Sequence, residues 1–268
     1  MELLDYTFFR NALAAVVILS ISSAIIGTYI ITRRLVAISG GITHACFGGL
    51  GLGYFFGINP VITAAMFAVG SSLGVEWLSE RQRMREDSAI AVVWSIGMAI
   101  GVIFVFMTPG YVPELNSFLF GNILTITRAD LVTFTLYTLV LIAFFSLYYK
   151  KIVICAFDRD FATVSGLPVK FINYTMTVLV AVCIVLTIRL VGIMLLMSMF
   201  SLPQMTAEIY CHRFKSLVWA SVAISTITCL GGLMLSTLGD VPCSAIIVTL
   251  MAAIFVIGRL VKPRLKRS

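Results

Sequence analysis

The chain has 268 residues, 60% of them hydrophobic and 12% charged, with a mean hydropathy of +1.06. Soluble domains average nearer half apolar and a quarter charged, so a water-soluble enzyme or binding module is excluded. The net charge of +7 sits at the edges of apolar runs, where basic residues mark membrane topology and anchor lipid headgroups; it does not indicate nucleic-acid binding.

In chain order, apolar runs occupy Phe8–Ile31, Leu35–Phe56, Pro60–Leu78, Ser88–Met107, Leu131–Tyr149, Phe171–Ile188, Val191–Ile209, Ser216–Ser236 and Ser244–Val261. Each is near the roughly 20 residues that an apolar helix needs to cross a bilayer. The reading is an all-α polytopic membrane protein forming one domain over residues 1–268. It has nine crossings, or eight if the first or seventh crosses only in part. The first run lacks a small-residue cleavage site, so it reads as a retained span and not as a signal peptide. With nine crossings and the C-terminus inside, sixteen of the nineteen Lys and Arg residues face the cytoplasm, leaving Arg10, Arg128 and Arg189 outside. That asymmetry sets the expected orientation, with the C-terminus cytoplasmic.

Arg33 to Gly57, RRLVAISGGITHACFGGLGLGYFFG, is apolar yet holds seven glycines and His44. On a helix Gly40, His44, Gly48 and Gly51 share one face, and Gly49, Gly53 and Gly57 form a second stripe. Small residues at that spacing let helix backbones approach closely in lipid. His44 therefore faces packed protein or a water-filled path. Two readings stand: an ion-handling group in the pathway, or a neutral imidazole hydrogen-bonded to a neighbouring helix. Cys46, two positions on, lies on another face.

Other chemistry-bearing residues are sparse. Glu76, near the inner end of the third span, reads as a headgroup-level anion rather than a gate. Asp87 reads as an N-cap of the fourth span. The loop from Pro109 to Asp130 contains the apolar NSFLFGNIL, expected to dip into the membrane or lie on its outer surface. Glu114 and Asp240 fall on the outside. Glu208 and His212, at i and i+4, read as a hydrogen-bonded helix-end pair and less well as metal ligands. Met194, Met197, Met199 and Met205 read as gap-filling core. The six cysteines show no CxxC pairing and read as packing residues. There is no G-x-x-x-x-G-K-[ST] motif.

Between the fifth and sixth spans lies KKIVICAFDRDFATVSGLPVK. FDRDFATV predicts a short helix with Asp158 or Asp160 near its N-terminus, where the dipole favours anions. Gly166 and Pro168 end it. Phe157, Phe161 and Val164 share one face. This segment is a surface linker or a knob for a socket on another protein.

Five stretches carry a resemblance: RRLVAISGGITHACFGG, DSAIAVVWSIGMAIGVIF, FDRDFATVSGLPV, VGIMLLMSMFSLPQMTA and LGDVPCSAIIVTL. In order and spacing they resemble the permease subunits of bacterial ABC importers for zinc, manganese and iron, over nearly the whole chain. The resemblance implies a type II importer-like permease fold and no enzymatic activity of its own. It implies a bacterial inner-membrane location, ATP hydrolysis by a separate cytoplasmic subunit, a permease homodimer, and an extracytoplasmic metal-binding protein. It implies no bound cofactor; the divalent ion is cargo, with His44 in its transient site. It also makes the segment at about 156–168 the coupling helix, with Phe157, Asp158, Asp160, Phe161, Ala162 and Gly166 contacting the ATPase. Many family members carry an aspartate four residues before the histidine; here that position is Gly40. Imidazole alone favours zinc or ferrous iron over manganese. Alternatives are a siderophore or cobalamin permease, usually longer by one span. A stand-alone secondary transporter is another, though it would usually show internal repeats and several buried charges. A membrane enzyme would need clustered histidines and acids, and the chain has two histidines.

Overall fold

The structure, a computed structural model, describes residues 7–82, 84–109, 121, 123–239 and 241–265. Within these the fold is all-α. The helices are α1 (Thr7–Thr32), α2 (Val36–Phe56), α3 (Pro60–Arg81), α4 (Glu86–Met107), α5 (Arg128–Phe157), α6 (Arg159–Val164), α7 (Val169–Met199), α8 (Leu202–Tyr210), α9 (Phe214–Gly239) and α10 (Cys243–Leu265). Eight segments among the described residues are long and apolar enough to cross a membrane. Arg83, Glu114, Asp240 and most of NSFLFGNIL lie outside the described residues.

The first run is a full 26-residue helix, about 39 Å at 1.5 Å per residue, long enough to cross. The sixth and seventh runs fall in one apolar segment, Val169–Tyr210. It is interrupted at Gly192, whose φ of 79° and ψ of 173° are non-helical, and again between α7 and α8. The count of nine thus becomes eight segments because two runs are joined by a distorted helix and not by a loop.

The chain forms two compact units, interleaved along the sequence. The first contains the described parts of Met1–Ile31, Asn116–Ser146 and Leu190–Ser268. Its core is partly polar. On α1, Ser20, Ser22, Ser23 and Thr28 are buried, and Ser22 shares a 2.7 Å hydrogen bond with Thr138 on α5. Gln204 on α8 is fully buried and donates from Nε2 to the carbonyls of Ser23 (2.9 Å) and Met199 (3.0 Å). The amide thus caps a carbonyl at the end of α7, a group left without an intrahelical partner. Tyr210 donates to the Gly258 carbonyl at 3.0 Å, tying α8 to α10.

The second unit comprises the described parts of Thr32–Leu115 and Leu147–Arg189. Its centre is α2, flanked by α3 and α4. Gly51 packs on α4, Gly49 and Gly53 on α3, and Gly48 between Phe67 of α3 and Gly97 of α4. A Cβ on Gly51 would stand 2.6 Å from the Gly101 carbonyl oxygen of α4, and one on Gly49 would stand 2.6 Å from the Ala64 Cα of α3. Backbone meets backbone on both sides, a contact that only small residues permit. Gly57 is the exception to its stripe. It sits at φ 68° as the C-cap of α2, giving its N–H to Gly53 and Tyr54, and a Cβ there would meet nothing. Asn59 then caps α3, its Oδ1 accepting from the Val61 N–H at 3.0 Å, with Pro60 at the first helical position. Glu86 and Asp87 occupy the first turn of α4, but Arg85 is its N-cap. Asp87 is therefore inside the helix, where it favours the dipole without capping. The six cysteines are thiols; Cys46, Cys155, Cys183 and Cys229 are buried, and Cys211 and Cys243 are partly exposed.

Candidate functional site

The second unit holds both candidate sites. His44 lies eight residues into α2, about 12 Å from its start. Its imidazole is half-buried and lies flat on Trp94 of α4, with ring centroids 4.7 Å apart and planes within 4°. Phe47 flanks it at 6.2 Å. Nδ1 is buried without a hydrogen-bond partner. A buried ring nitrogen without a partner carries a desolvation cost. Gly40 and Ser39 are buried on the preceding turn. Ser39 donates to the Val36 carbonyl at 2.8 Å, and Thr43 donates to the Ser39 carbonyl at 2.5 Å. The hydroxyl oxygen of Thr43 retains its lone pairs. Among the described residues, no three His, Cys, Asp or Glu side chains are grouped to hold a metal. Any cation at His44 would have to draw on the imidazole, hydroxyl or carbonyl oxygens, and water.

The short helix α6 forms as its sequence predicts. Asp158 is its N-cap, accepting from the Phe161 N–H at 2.8 Å. The C-terminus closes with Leu167 N–H to Ala162 O and Gly166 N–H to Thr163 O, both 3.1 Å. That paired closure needs a left-handed residue, and Gly166 supplies it at φ 72°. Ala162 is fully buried, anchoring the inner side. Phe157 (66% exposed), Phe161 (59%) and Val164 (89%) face outward. Phe157 ends α5 and does not belong to α6. Asp160 and Gly166 are exposed. The knob therefore presents exposed aromatic and branched side chains beside charged ones.

Sequence reading missed the cluster beneath this knob. Arg159, the first residue of α6, pairs with Glu80 and lies 3.7 Å from Glu76 and 4.0 Å from Glu86. Arg33 lies 2.8 Å from Glu86 and 3.9 Å from Glu76. Tyr174 of α7 donates to Glu80 at 3.4 Å. Glu76 is 5% exposed, so it is a buried ion-pair partner and not a headgroup-level anion. A signal existed: Glu76 and Glu80 are carboxylates at i and i+4 on one helix face, a repulsive pair unless cations join it. The Glu208–His212 pair is not formed. α8 ends at Tyr210 with an extended Cys211, so the two no longer share a helix face.

The model of the ABC 3 transport family matches residues 5–262. The chain belongs to the ABC 3 transport family. It is 29% identical to the manganese transport system membrane protein MntC of Listeria monocytogenes over 262 residues, 98% of this chain and 93% of that one. It is 32% identical to a probable iron transport system membrane protein of Haemophilus influenzae over 258 residues, 96% and 95% of the two chains. Among solved structures it resembles PsaBC from Streptococcus pneumoniae in complex with Fab, with a TM-score of 0.82, 26% identity, and coverage of 96% and 94%. Membership in the ABC 3 family makes the chain a membrane-spanning transport permease. It sets aside the stand-alone secondary transporter.

Proposed function

We propose that this chain is the permease subunit of an importer that carries a divalent transition-metal ion into the cytoplasm, with ATP hydrolysed by a separate subunit. The observation that carries the reading is the family match across residues 5–262, joined by relatives named for manganese and iron transport. Two copies form the pathway, and an extracytoplasmic binding protein delivers the ion. The exposed apolar faces of α4 (Ile96, Ile103, Phe106) contact lipid or the second copy.

His44 is the transient ligand. Its unpartnered Nδ1 supports this, and a single imidazole suits a site from which the ion must leave again. Imidazole favours iron or zinc; manganese would draw on oxygen from Thr43, carbonyls and water. The C-terminus is cytoplasmic. Val169–Tyr210, 42 residues interrupted at Gly192 and again between α7 and α8, is counted as two crossings, each near the roughly 20 residues that a crossing needs. On that count α6 is inside, and Phe157, Asp158, Asp160, Phe161, Ala162 and Gly166 form the knob that enters the ATPase.

The test is accumulation of zinc, manganese and iron in cells expressing the permease with its ATPase and binding protein, wild type against His44→Ala. One metal accumulating in wild type and lost in the variant at equal membrane level supports both claims. Accumulation that survives the substitution removes His44 from the pathway. No accumulation of any of the three removes the metal reading.

A further inference from the structure

Glu76 and Glu86 are each shared by two guanidiniums, Arg33 from one side and Arg159 from the other. Arg159 belongs to α6 and Glu86 to α4. Glu76 and Glu80 belong to α3, and Arg33 stands three residues before α2 begins. One cluster thus joins the knob to the start of the helix that carries His44. Among the described residues, three carboxylates meet two arginines within 4.0 Å. With Arg159 in place, each carboxylate has a cation within 4.0 Å. With Arg159 withdrawn, three carboxylates at the ends of α3 and α4 would share Arg33 alone. Repulsion is screened least at Glu76, whose side chain is 6% exposed against 14% for Glu80 and 28% for Glu86. Arg159 also borders a cavity of about 820 Å³ that Trp77, Arg81, Lys170 and Tyr174 help to line, which gives the side chain space to move into. A shift of α6 that withdrew Arg159 would therefore change the charge balance of the cluster. An element with two arrangements biased by both ends is what coupling between distant sites requires.

We propose that Glu76, held between Arg33 and Arg159, is a positioning residue that passes movement of α6 to α2 and so to His44. This rests on the coupling role given to α6 above. A purely structural ion pair would alter stability without altering how many ions move per ATP.

The experiment uses the complete complex of permease, ATPase and binding protein in vesicles, with Glu76→Gln, which keeps the side chain's shape. ATP hydrolysis is expected to stay within about twofold while ions moved per ATP fall about tenfold, a coupling effect of ordinary size. Amide hydrogen exchange supplies a readout independent of cargo. Trapping the ATPase with nucleotide and vanadate is expected to change exchange at residues 158–167 in both proteins, but at 36–45 only in wild type. Unchanged ions per ATP together with a wild-type exchange response at 36–45 would overturn the proposal. If Glu76→Gln fails to fold, Arg159→Glu is compared with Arg159→Glu combined with Glu80→Arg. The double variant restores two arginines and three glutamates and is expected to recover the exchange response at 36–45; a folded double variant that does not recover it overturns the proposal. If wild type moves no metal, the metal reading fails while the exchange comparison still decides this one.

Discussion

The imidazole of His44 and the indole of Trp94 lie parallel within 4°, their centroids 4.7 Å apart. One ring comes from α2 and the other from α4, so the stack fixes the ring plane of His44 against a neighbouring helix. Offset or parallel aromatic contact contributes about 1 kcal/mol beyond buried area. Trp94→Phe keeps a flat face and is expected to retain metal uptake. Trp94→Ala is expected to lower uptake about tenfold at equal membrane level, because a misplaced ligand loses its geometry. Uptake rates of the two variants side by side check this; equal rates would mean that the stack does not hold the ligand.

The glycines of α2 and α4 are expected to behave unlike those of α3. A Cβ on Gly101 would stand 2.5 Å from the Phe47 carbonyl oxygen, and one on Gly51 2.6 Å from the Gly101 oxygen. Backbone cannot yield as a side chain can, so Gly101→Ala is expected to cost about 2 kcal/mol through forced separation of the helices. Gly70 and Gly74 face open space, and Gly→Ala there is expected to stabilise by about 0.5 kcal/mol through helix propensity. Thermal melting of the detergent-solubilised permease distinguishes the two groups.

The knob separates into folding and docking residues. Asp158→Ala removes an N-cap and is expected to cost about 1 kcal/mol; Gly166→Ala places a Cβ at positive φ and costs about as much. Both are expected to raise amide exchange over 158–167. Phe161→Asp changes an exposed residue, so it is expected to leave exchange unchanged while uncoupling ATP hydrolysis from transport. Gly166→Pro, which cannot adopt the required φ, is expected to do both. Transport persisting at wild-type level in Phe161→Asp would remove the docking role.

Gln204 is expected to be a structural hinge pin for α8. Gln204→Leu keeps the volume but loses two hydrogen bonds to main-chain carbonyls, at a cost of about 2 kcal/mol. A Cβ on Gly27 would meet the Gln204 amide carbon at 2.6 Å and the Phe200 carbonyl oxygen at 2.8 Å. Gly27→Ala and Gln204→Ala should therefore combine non-additively in melting, the second relieving part of the first.

Legibility followed the range of each interaction. The α6 helix was readable because its start and stop are local: Asp158 bonds three residues on, and Gly166 closes on Ala162 and Thr163 through Leu167 and its own N–H. The packing of α2 was readable because spacing alone assigns a helical face. Gly57 misled for the same reason, since spacing cannot distinguish a packing glycine from one required by φ. Glu76 was misread because its partners, Arg33 and Arg159, come from other helices, and an apolar run gives no register between helices. The Glu208–His212 pair failed because the helix stops at Tyr210, where no Gly or Pro announces it. The break at Gly192 was hidden inside an unbroken apolar stretch.

The cysteines have a practical consequence for watching this protein move. Cys46, Cys155, Cys183 and Cys229 are enclosed by the fold, and only Cys211 and Cys243 are partly exposed. A spin-label or fluorophore study therefore starts from two background substitutions instead of six. Probes placed on α6 and near the start of α2 can then report distances in a chain whose interior is otherwise native.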